Sequence, residues 1–485
     1  MRRRILFVFL FACTVSLIAV TPSGTLPVLY ISTHNHQSVS RDYAIDATIY
    51  MTAYGEYETL GDAAHPLPIT IKGRGNWTWN GFDKKPYKIV FAQGYGQKLL
   101  GMHKSKHWAL MAGADDYLGF LKNTVGYSLS KHIGLPYTPH QVPVELVLNG
   151  DYKGLYFVTE TIRVDNDRVS IHEQADTETD PALITGGWLV EIDNYRAEGN
   201  IELQEHNGQQ IMITPQSPEQ LSQVQRNYIT RQMAALNDAI YQQAEKSLLQ
   251  ARVNSQQNGG CSLAGSALGD ILDLNDAARF YLVQEIMEDC ESYHGSCFLY
   301  KDRDTTDHAG KTVVPKWHFG PVWDFGNAYD RHQERYIYDH PTFSQIWIGQ
   351  LREHPEFNER VMQLWYTYRE SAHAKVLADI DTFVSGISAA AKRDAQRWQN
   401  SNVRTNADMN DRKQEFLSRM NWRLAWLYKQ WGEGDSTPLP DDDALTDLRT
   451  YTTDNHAHAT VRISNGQLYI LRNGHRYTVT GQIME

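Results

Sequence analysis

Short bursts of alternating hydrophobic and polar residues dominate the first half of the chain. Leu26-Pro27-Val28-Leu29-Tyr30-Ile31-Ser32-Thr33 predicts a first strand, and the stretches Tyr43–Met51 and Ile69–Lys72 predict two more. In Tyr87-Lys88-Ile89-Val90-Phe91 the residues Tyr87, Ile89 and Phe91 share one face, while Lys88 and Val90 point the other way. Gly119–His132 predicts a helix stopped by Gly134 and Pro136. Val144–Leu148 and Leu155–Val158, joined through Asn149-Gly150, predict a hairpin. Trp188–Asp193 predicts a strand that ends in two acids. Ser217-Pro218-Glu219-Gln220 reads as a helix start, with Ser217 as N-cap and Gln220 closing a capping box. Leu221, Val224, Tyr228, Met233, Leu236 and Ile240 then recur at helical spacing. Residues 249–270 are polar and rich in Gly, Ser and Gln, which predicts a surface loop. Asp273 caps a helix carrying Ala277, Phe280 and Met287, and Ser296–Tyr300 follows as a strand.

Beyond residue 326 the pattern turns helical to about residue 431, where Phe416, Met420, Leu424, Leu427 and Trp431 form the stripe of a last helix that Gly432 ends. Ser436–Asp443 is a Pro- and Asp-rich linker. The tail 456–485 alternates around Asn465-Gly466 and Asn473-Gly474, which predicts a small β-hairpin module. Strands first and helices afterwards indicate an α+β fold. The boundaries expected are a signal peptide over 1–20, a main domain over 21–435, a linker over 436–455 and the β module over 456–485.

Composition narrows the classes. A length of 485 residues supports two or three domains. A net charge of -11 argues against a nucleic-acid partner. Arg2-Arg3-Arg4 followed by the apolar Ile5–Val20 reads as an export signal, cleaved, with the periplasm or cell surface as the expected address. Leu10-Phe11-Ala12-Cys13 is a poorer match to a lipoprotein processing site that would anchor the chain at Cys13. No later stretch is apolar enough to span a bilayer. Without Cys13, three cysteines remain, an odd number, so a fully paired framework is excluded, while Cys290 and Cys297 are free to pair in an oxidising compartment. No Cys-x2-Cys or His-rich spacing points to zinc.

The candidate chemistry centres on Lys316-Trp317-His318-Phe319-Gly320-Pro321-Val322-Trp323-Asp324-Phe325-Gly326. Trp317, Phe319 and Trp323 alternate with His318 and Gly320 as in a half-buried strand. Asp324 stands at its end beside a glycine, a good place to hold a divalent cation against phosphate oxygens. Protein kinases use an Asp-Phe-Gly for that purpose. Upstream, Gly73-Arg74-Gly75 offers backbone N–H groups and a fixed guanidinium fork, with Lys84, Lys85 and Lys88 following. Lys84 reads as a solvated turn lysine. No Gly-x-x-x-x-Gly-Lys-Ser/Thr loop occurs, which excludes a P-loop enzyme.

The series Leu26–Ile31, Gly73-Arg74-Gly75-Asn76-Trp77-Thr78-Trp79, Lys84-Lys85-Pro86-Tyr87-Lys88, Leu100-Gly101-Met102, Leu148-Asn149-Gly150-Asp151-Tyr152-Lys153-Gly154-Leu155-Tyr156 and Trp323-Asp324-Phe325-Gly326, in that order, resembles the CotH family of spore-coat-protein-H-like atypical protein kinases. The likeness covers roughly residues 26 to 430. It implies a trimmed, two-lobed kinase-like fold that moves the ATP γ-phosphoryl group to Ser or Thr of a partner protein with Mg2+ or Mn2+. Asp324 would be the metal-binding Asp. Asp289-Cys290-Glu291 stands where the family usually has Asn-x-Asp, so Glu291 is one methylene longer than the usual residue. Glu291 or Asp289 would hold metal or accept the hydroxyl proton. Arg74, with Lys85 or Lys88, would neutralise phosphates, and Glu160 would orient that lysine. Lys122-Asn123 stands where the family commonly has Arg-Asn after a shorter spacer.

Two other classes compete. A surface binding or scaffolding protein is suggested by 12 Trp and 27 Tyr on an exported chain, where ATP is scarce. A glycoside hydrolase would use Glu191 and Asp193 as its acid pair.

Overall fold

In the computed structural model, the described residues are 20–439, apart from 194–198, 206–207, 242–267, 342 and 344, together with strands between 459 and 484. Met1–Thr437 and Pro438–Glu485 form two compact units. The signal, Cys13, most of the 249–270 loop and the two Asn-Gly turns of the tail fall outside the described residues.

The first unit opens with strands β1 (Val28–Thr33), β2 (Ile45–Thr52), β3 (Leu67–Gly73), β4 (Tyr87–Phe91), β5 (His107–Met111), β6 (Gln141–Leu148) and β7 (Asp151–Glu160). They close into a barrel in the order β1-β2-β3-β4-β5-β7-β6, sealed by the parallel pairing of β1 with β6. Alternation fixes which side chains fill it. Leu29, Ile31, Ile49, Ile71, Ile89, Phe91, Trp108, Leu110, Leu146, Tyr156 and Val158 form one buried apolar cluster. The complementary row, including Lys72, Lys88 and His107, therefore faces outward. The strand pattern foretold most of these elements but not the closure, because a β1–β6 contact across more than a hundred residues leaves no local signature.

The rest of the unit stacks on the barrel. Helix α1 (Trp77–Gly81) follows β3, and α2 (Leu121–Ile133) ends at Gly134, whose N–H donates to the Ser130 carbonyl. A second sheet has the order β14-β11-β8-β10-β9, built from β8 (Trp188–Asp193), β9 (Ile201–Gln204), β10 (Gln210–Ser217), β11 (Cys297–Lys301) and β14 (His318–Phe319); β12 (Thr305–Thr306) and β13 (Thr312–Val313) pair separately. The helices are α3 (Gln223–Ile240), α4 (Leu268–Ile271), α5 (Leu274–Ile286), α6 (Ile348–Leu351), α7 (Pro355–Thr367), α8 (His373–Trp398) and α9 (Met409–Trp431). In the second unit, β15 (Ala459–Ser464), β16 (Gln467–Arg472), β17 (His475–Thr478) and β18 (Ile483–Met484) make an antiparallel meander.

Three local expectations are corrected. Ser217 does not cap a helix: it still pairs with Leu189 in β10, and α3 starts at Ser222, whose capping box with Gln225 repeats the same signal five residues later. The Trp317–Trp323 stretch is not a half-buried strand. His318–Phe319 pairs with β11 and Trp317 bridges to Leu272, and Trp317, His318 and Phe319 are all buried, with Phe280 of α5 packed on Phe319. Lys84 is not solvated: it is wholly buried, with its Nζ 2.7 Å from both Asp394 Oδ1 and the Leu155 carbonyl. Gly154 is required there, since a Cβ would lie 2.1 Å from that carboxylate oxygen. Among the described residues no helix is long and apolar enough to cross a membrane.

Candidate functional site

Asp324 is exposed, and its backbone sits in the left-handed region at φ 59°. That conformation is unfavourable for a non-glycine residue and needs support from its neighbours. The start of α2 supplies it. Asn123 Oδ1 accepts from the Phe325 N–H at 3.1 Å, and Lys122 Nζ donates to the Gly326 carbonyl at 2.7 Å and also pairs with Asp330. Phe325 packs flat onto Gly126, where any Cβ would come within 2.3 Å of the ring. Asp116 anchors this corner by accepting from the Leu118 and Lys122 N–H groups.

Around Asp324 the chain gathers more carboxylates than it neutralises. A Cβ built on Gly326 would lie 3.3 Å from Asp324 Oδ1 and 3.7 Å from Asp115 Oδ2, so both acids close on the same glycine. Burial, Asp116 and Asp324 push the Asp115 carboxyl up to about 6. Glu191, from the middle of the second sheet, accepts from Gln216 Nε2 at 2.7 Å. Burial, Asp193 and Asp324 raise it to about 8, against the pull of Arg74. Asp289 is fully buried, and its Oδ2 has no partner. Its other oxygen takes the Glu291 N–H at 3.4 Å, and burial, Glu291 and Asp324 drive its carboxyl well above the ordinary range. Glu291 is half-buried, receives the Asn327 amide, and is likewise raised by burial and Asp324. A set of acids that cannot all ionise together, one of them with an orphaned oxygen, is an electrostatically crowded site.

Arg74 connects this acidic wall to the barrel. It crosses the outer barrel face to the Met111 sulfur, and its guanidinium lies 5.4 Å from the centre of the Trp323 ring. Asp324, Tyr127 and Glu191 all favour its charge against the cost of burial.

The sequence-predicted residues divide. Asp324, Asp289, Glu291 and Arg74 come together, and Lys88 stands on the same outer barrel face as Arg74, exposed. Lys85 does not join them: its Nζ donates to the Trp79 carbonyl and lies over the Trp79 ring. Glu160 does not orient a lysine. Its carboxylate accepts from the His140 N–H at 3.1 Å, meets His140 Nδ1 at 2.9 Å and accepts from the Tyr137 hydroxyl at 3.1 Å. It is buried at the end of β7, and Oε2 takes all three of these contacts. Cys290 and Cys297 are both buried free thiols. Of the Glu191–Asp193 pair, Glu191 feels both Asp193 and Asp324. Asp115 and Asn327 were missed, and Lys122-Asn123 was noted only as a departure from the family's Arg-Asn. The Asp115-Asp116 doublet between strand and helix was the signal available for the first of these.

A second cluster lies apart from this one. Asp273, Asp276 and His318 present ligand atoms within 4.8 Å of one another. Asp276 meets His318 Nδ1 at 2.9 Å and Arg279 Nη1 at 2.7 Å, while Asp273 caps α5. With a guanidinium already on Asp276, the cluster acts as a charge network that staples the start of α5 to β14.

No curated protein matches the chain. The family described as CotH kinase protein matches residues 71–427, well over half of the chain and all of the site. The protein thus belongs to the CotH kinase family.

Proposed function

We propose that the protein is a phosphotransferase that moves the γ-phosphoryl group of ATP to a Ser or Thr hydroxyl of a partner protein outside the cytoplasm. The observation that carries this reading is the buried, unpartnered Asp289 oxygen among Asp324, Glu291, Glu191 and Asp115, with Arg74 reaching over them from the barrel. The barrel would serve as the nucleotide lobe and the helical part as the acceptor lobe.

Mg2+ or Mn2+ bound there would neutralise the phosphate oxygens and draw charge toward the leaving group. Asp324, with Glu291 or Asp289, would hold it. Arg74 offers a fixed fork to phosphate oxygens, and Lys88 adds charge on the same face. The acceptor oxygen bonds to the γ-phosphorus, the bond to the β–γ bridging oxygen breaks, and ADP departs. Whichever of Asp289 and Glu291 does not hold the cation would take the hydroxyl proton. The test is a Mg2+-dependent thermal shift with ATP, alongside transfer of labelled phosphate to a protein acceptor. A shift and transfer in the wild type, both lost in Asp324→Ala, are expected. No shift in the wild type, or an equal one in the variant, overturns the proposal.

The commitment of Glu160 to His140 and Tyr137, where protein kinases pair such an acid with lysine, favours one second reading: a surface scaffold that binds nucleotide without turnover. Binding without transfer would select it.

A further inference from the structure

We infer that Glu145 is a receptor for a free α-ammonium group at Ser23, so that the protein is completed by hydrolysis of its Pro22–Ser23 peptide bond. The inference is independent of the phosphotransferase reading.

Glu145 stands in β6, whose Val144, Leu146 and Leu148 fill the barrel core, so its side chain leaves the barrel on the opposite side. It is nevertheless fully buried. The segment from Ser23 to Pro27 lies against it on the way into β1. The Glu145 N–H donates to the Pro27 carbonyl at 2.9 Å, and Val28 is its partner in the parallel seam that closes the barrel. A carboxylate taken out of water is costly unless an opposite charge meets it. The groups that donate to this one are the Ser23 N–H, the Ser23 hydroxyl at 2.6 Å and the Tyr152 hydroxyl. None is cationic, and among the described residues no lysine, arginine or histidine pairs with it. Asp394 and Glu285 are buried as deeply, but Lys84 and Arg423 neutralise them.

The geometry at Ser23 is a second observation. Its backbone nitrogen lies 2.9 Å from Oε1 and 2.8 Å from Oε2, and its hydroxyl adds a contact to Oε2. A backbone amide carries one proton and can make only one linear bond. An α-ammonium carries three, one for each carboxylate oxygen with one to spare, and supplies the missing charge. The expected signal over residues 1–20 would leave only Thr21-Pro22 ahead of Ser23. Thr21 is exposed and Pro22 half-buried. A peptidase that cuts after proline would add water across the amide: Pro22 departs with a carboxylate, and Ser23 keeps the nitrogen, protonated. The new ion pair would tie the first residue of the chain to β6 beside the β1–β6 seam. The titratable groups facing the cradle are Tyr152 of β7, Tyr30 of β1 and, behind the Leu155 N–H opposite Glu145, Asp394 of α8 with its Lys84. All of them are present before and after cleavage, so a comparison of the two forms cancels them.

The experiment compares two forms of the chain that both run to Glu485. One is released by a protease that leaves Ser23 as its first residue, and the other retains Thr21-Pro22. The Ser23 form is expected to show a folding equilibrium constant larger by about tenfold or more in urea unfolding, and Glu145→Gln should erase the difference. The pair holds a proton on the ammonium in the folded state. The advantage is therefore complete below about pH 8, the ordinary range of an α-amino group, and is lost as pH rises beyond it. N-terminal sequencing of the chain recovered from the cell that makes it should begin at Ser23. Equal stability of the two forms, an advantage that survives Glu145→Gln or does not fall with rising pH, or a different first residue overturns the inference.

Discussion

The protein buries charge in two ways, and the contrast separates scaffold from site. Lys84 and Asp394 meet at 2.7 Å with no exposure; the lysine also reaches the Leu155 carbonyl, and the Leu155 N–H donates to Asp394 at 2.9 Å. Arg423 pairs with Glu285 in the helical part and donates to the carbonyls of Glu285 and Arg335. Each buried charge there has an opposite charge and backbone partners beside it. Around Asp324 the reverse holds: Asp115, Glu191, Asp289 and Glu291 all feel its like charge, while Arg74 acts on Glu191 and Lys122 on Asp115 and Asp289, and burial still raises all four. A paired buried charge ties distant segments together, Lys84 to α8 in this case. A set of buried like charges is tolerated where a ligand is to supply the missing sign.

The largest expected effect breaks the first kind. Lys84→Ala strands Asp394 in the core and should cost about 3–5 kcal/mol of stability in urea unfolding, enough to threaten folding of the barrel on α8. A loss below 1 kcal/mol would remove the scaffold role given to this pair.

Next in size is the site itself. Asp324→Ala removes an exposed carboxylate that shares its space with like charges, so it should not lower the melting temperature. It should reduce transfer at least about a hundredfold, equivalent to about 2.7 kcal/mol.

A smaller effect appears with pH. The raised carboxyls hold protons in the folded state that the unfolded chain has already released. Stability of the metal-free protein is therefore full below the ordinary glutamate value of 4.5, and it is lost as pH rises toward about 8 for Glu191. Glu191→Gln should flatten that decline and gain about 1–3 kcal/mol at pH 8, keeping its bond to Gln216. Melting curves in EDTA from pH 5 to 8 measure this, and a rising slope would contradict the crowding of acids. Added Mg2+ should reverse the decline in the wild type.

The smallest effect sharpens the boundary of the site. Lys85→Ala loses a contact with Trp79 and should change stability by less than about 1 kcal/mol and nucleotide affinity by less than about twofold.

What could be read locally was read correctly where one short segment carries the signal. The Asn149-Gly150 hairpin, α2 with its Gly134 stop, and the stripe of Phe416, Met420, Leu427 and Trp431 in α9 all lie where periodicity and turn chemistry put them. Apart from the Ser217 capping box, which a nearby repeat of the same signal displaced, misreadings occurred where a distant partner decides. Lys84 looks solvated until Asp394, more than three hundred residues on, supplies its counter-charge. Glu160 looks like a lysine's partner until His140 takes it. The Trp317–Phe319 stretch looks half-buried until Phe280 of α5 packs on Phe319.

The sequence by itself determined most of the elements and the ordered motifs that mark the CotH family. Only the tertiary structure decided that the strands close into a barrel, that Asp115 and Glu191 join Asp324, and that Lys72 faces Lys88 on the outside. The physical reason is that burial and pairing of charge depend on residues brought together across long sequence separations, which periodicity, a short-range property, does not encode.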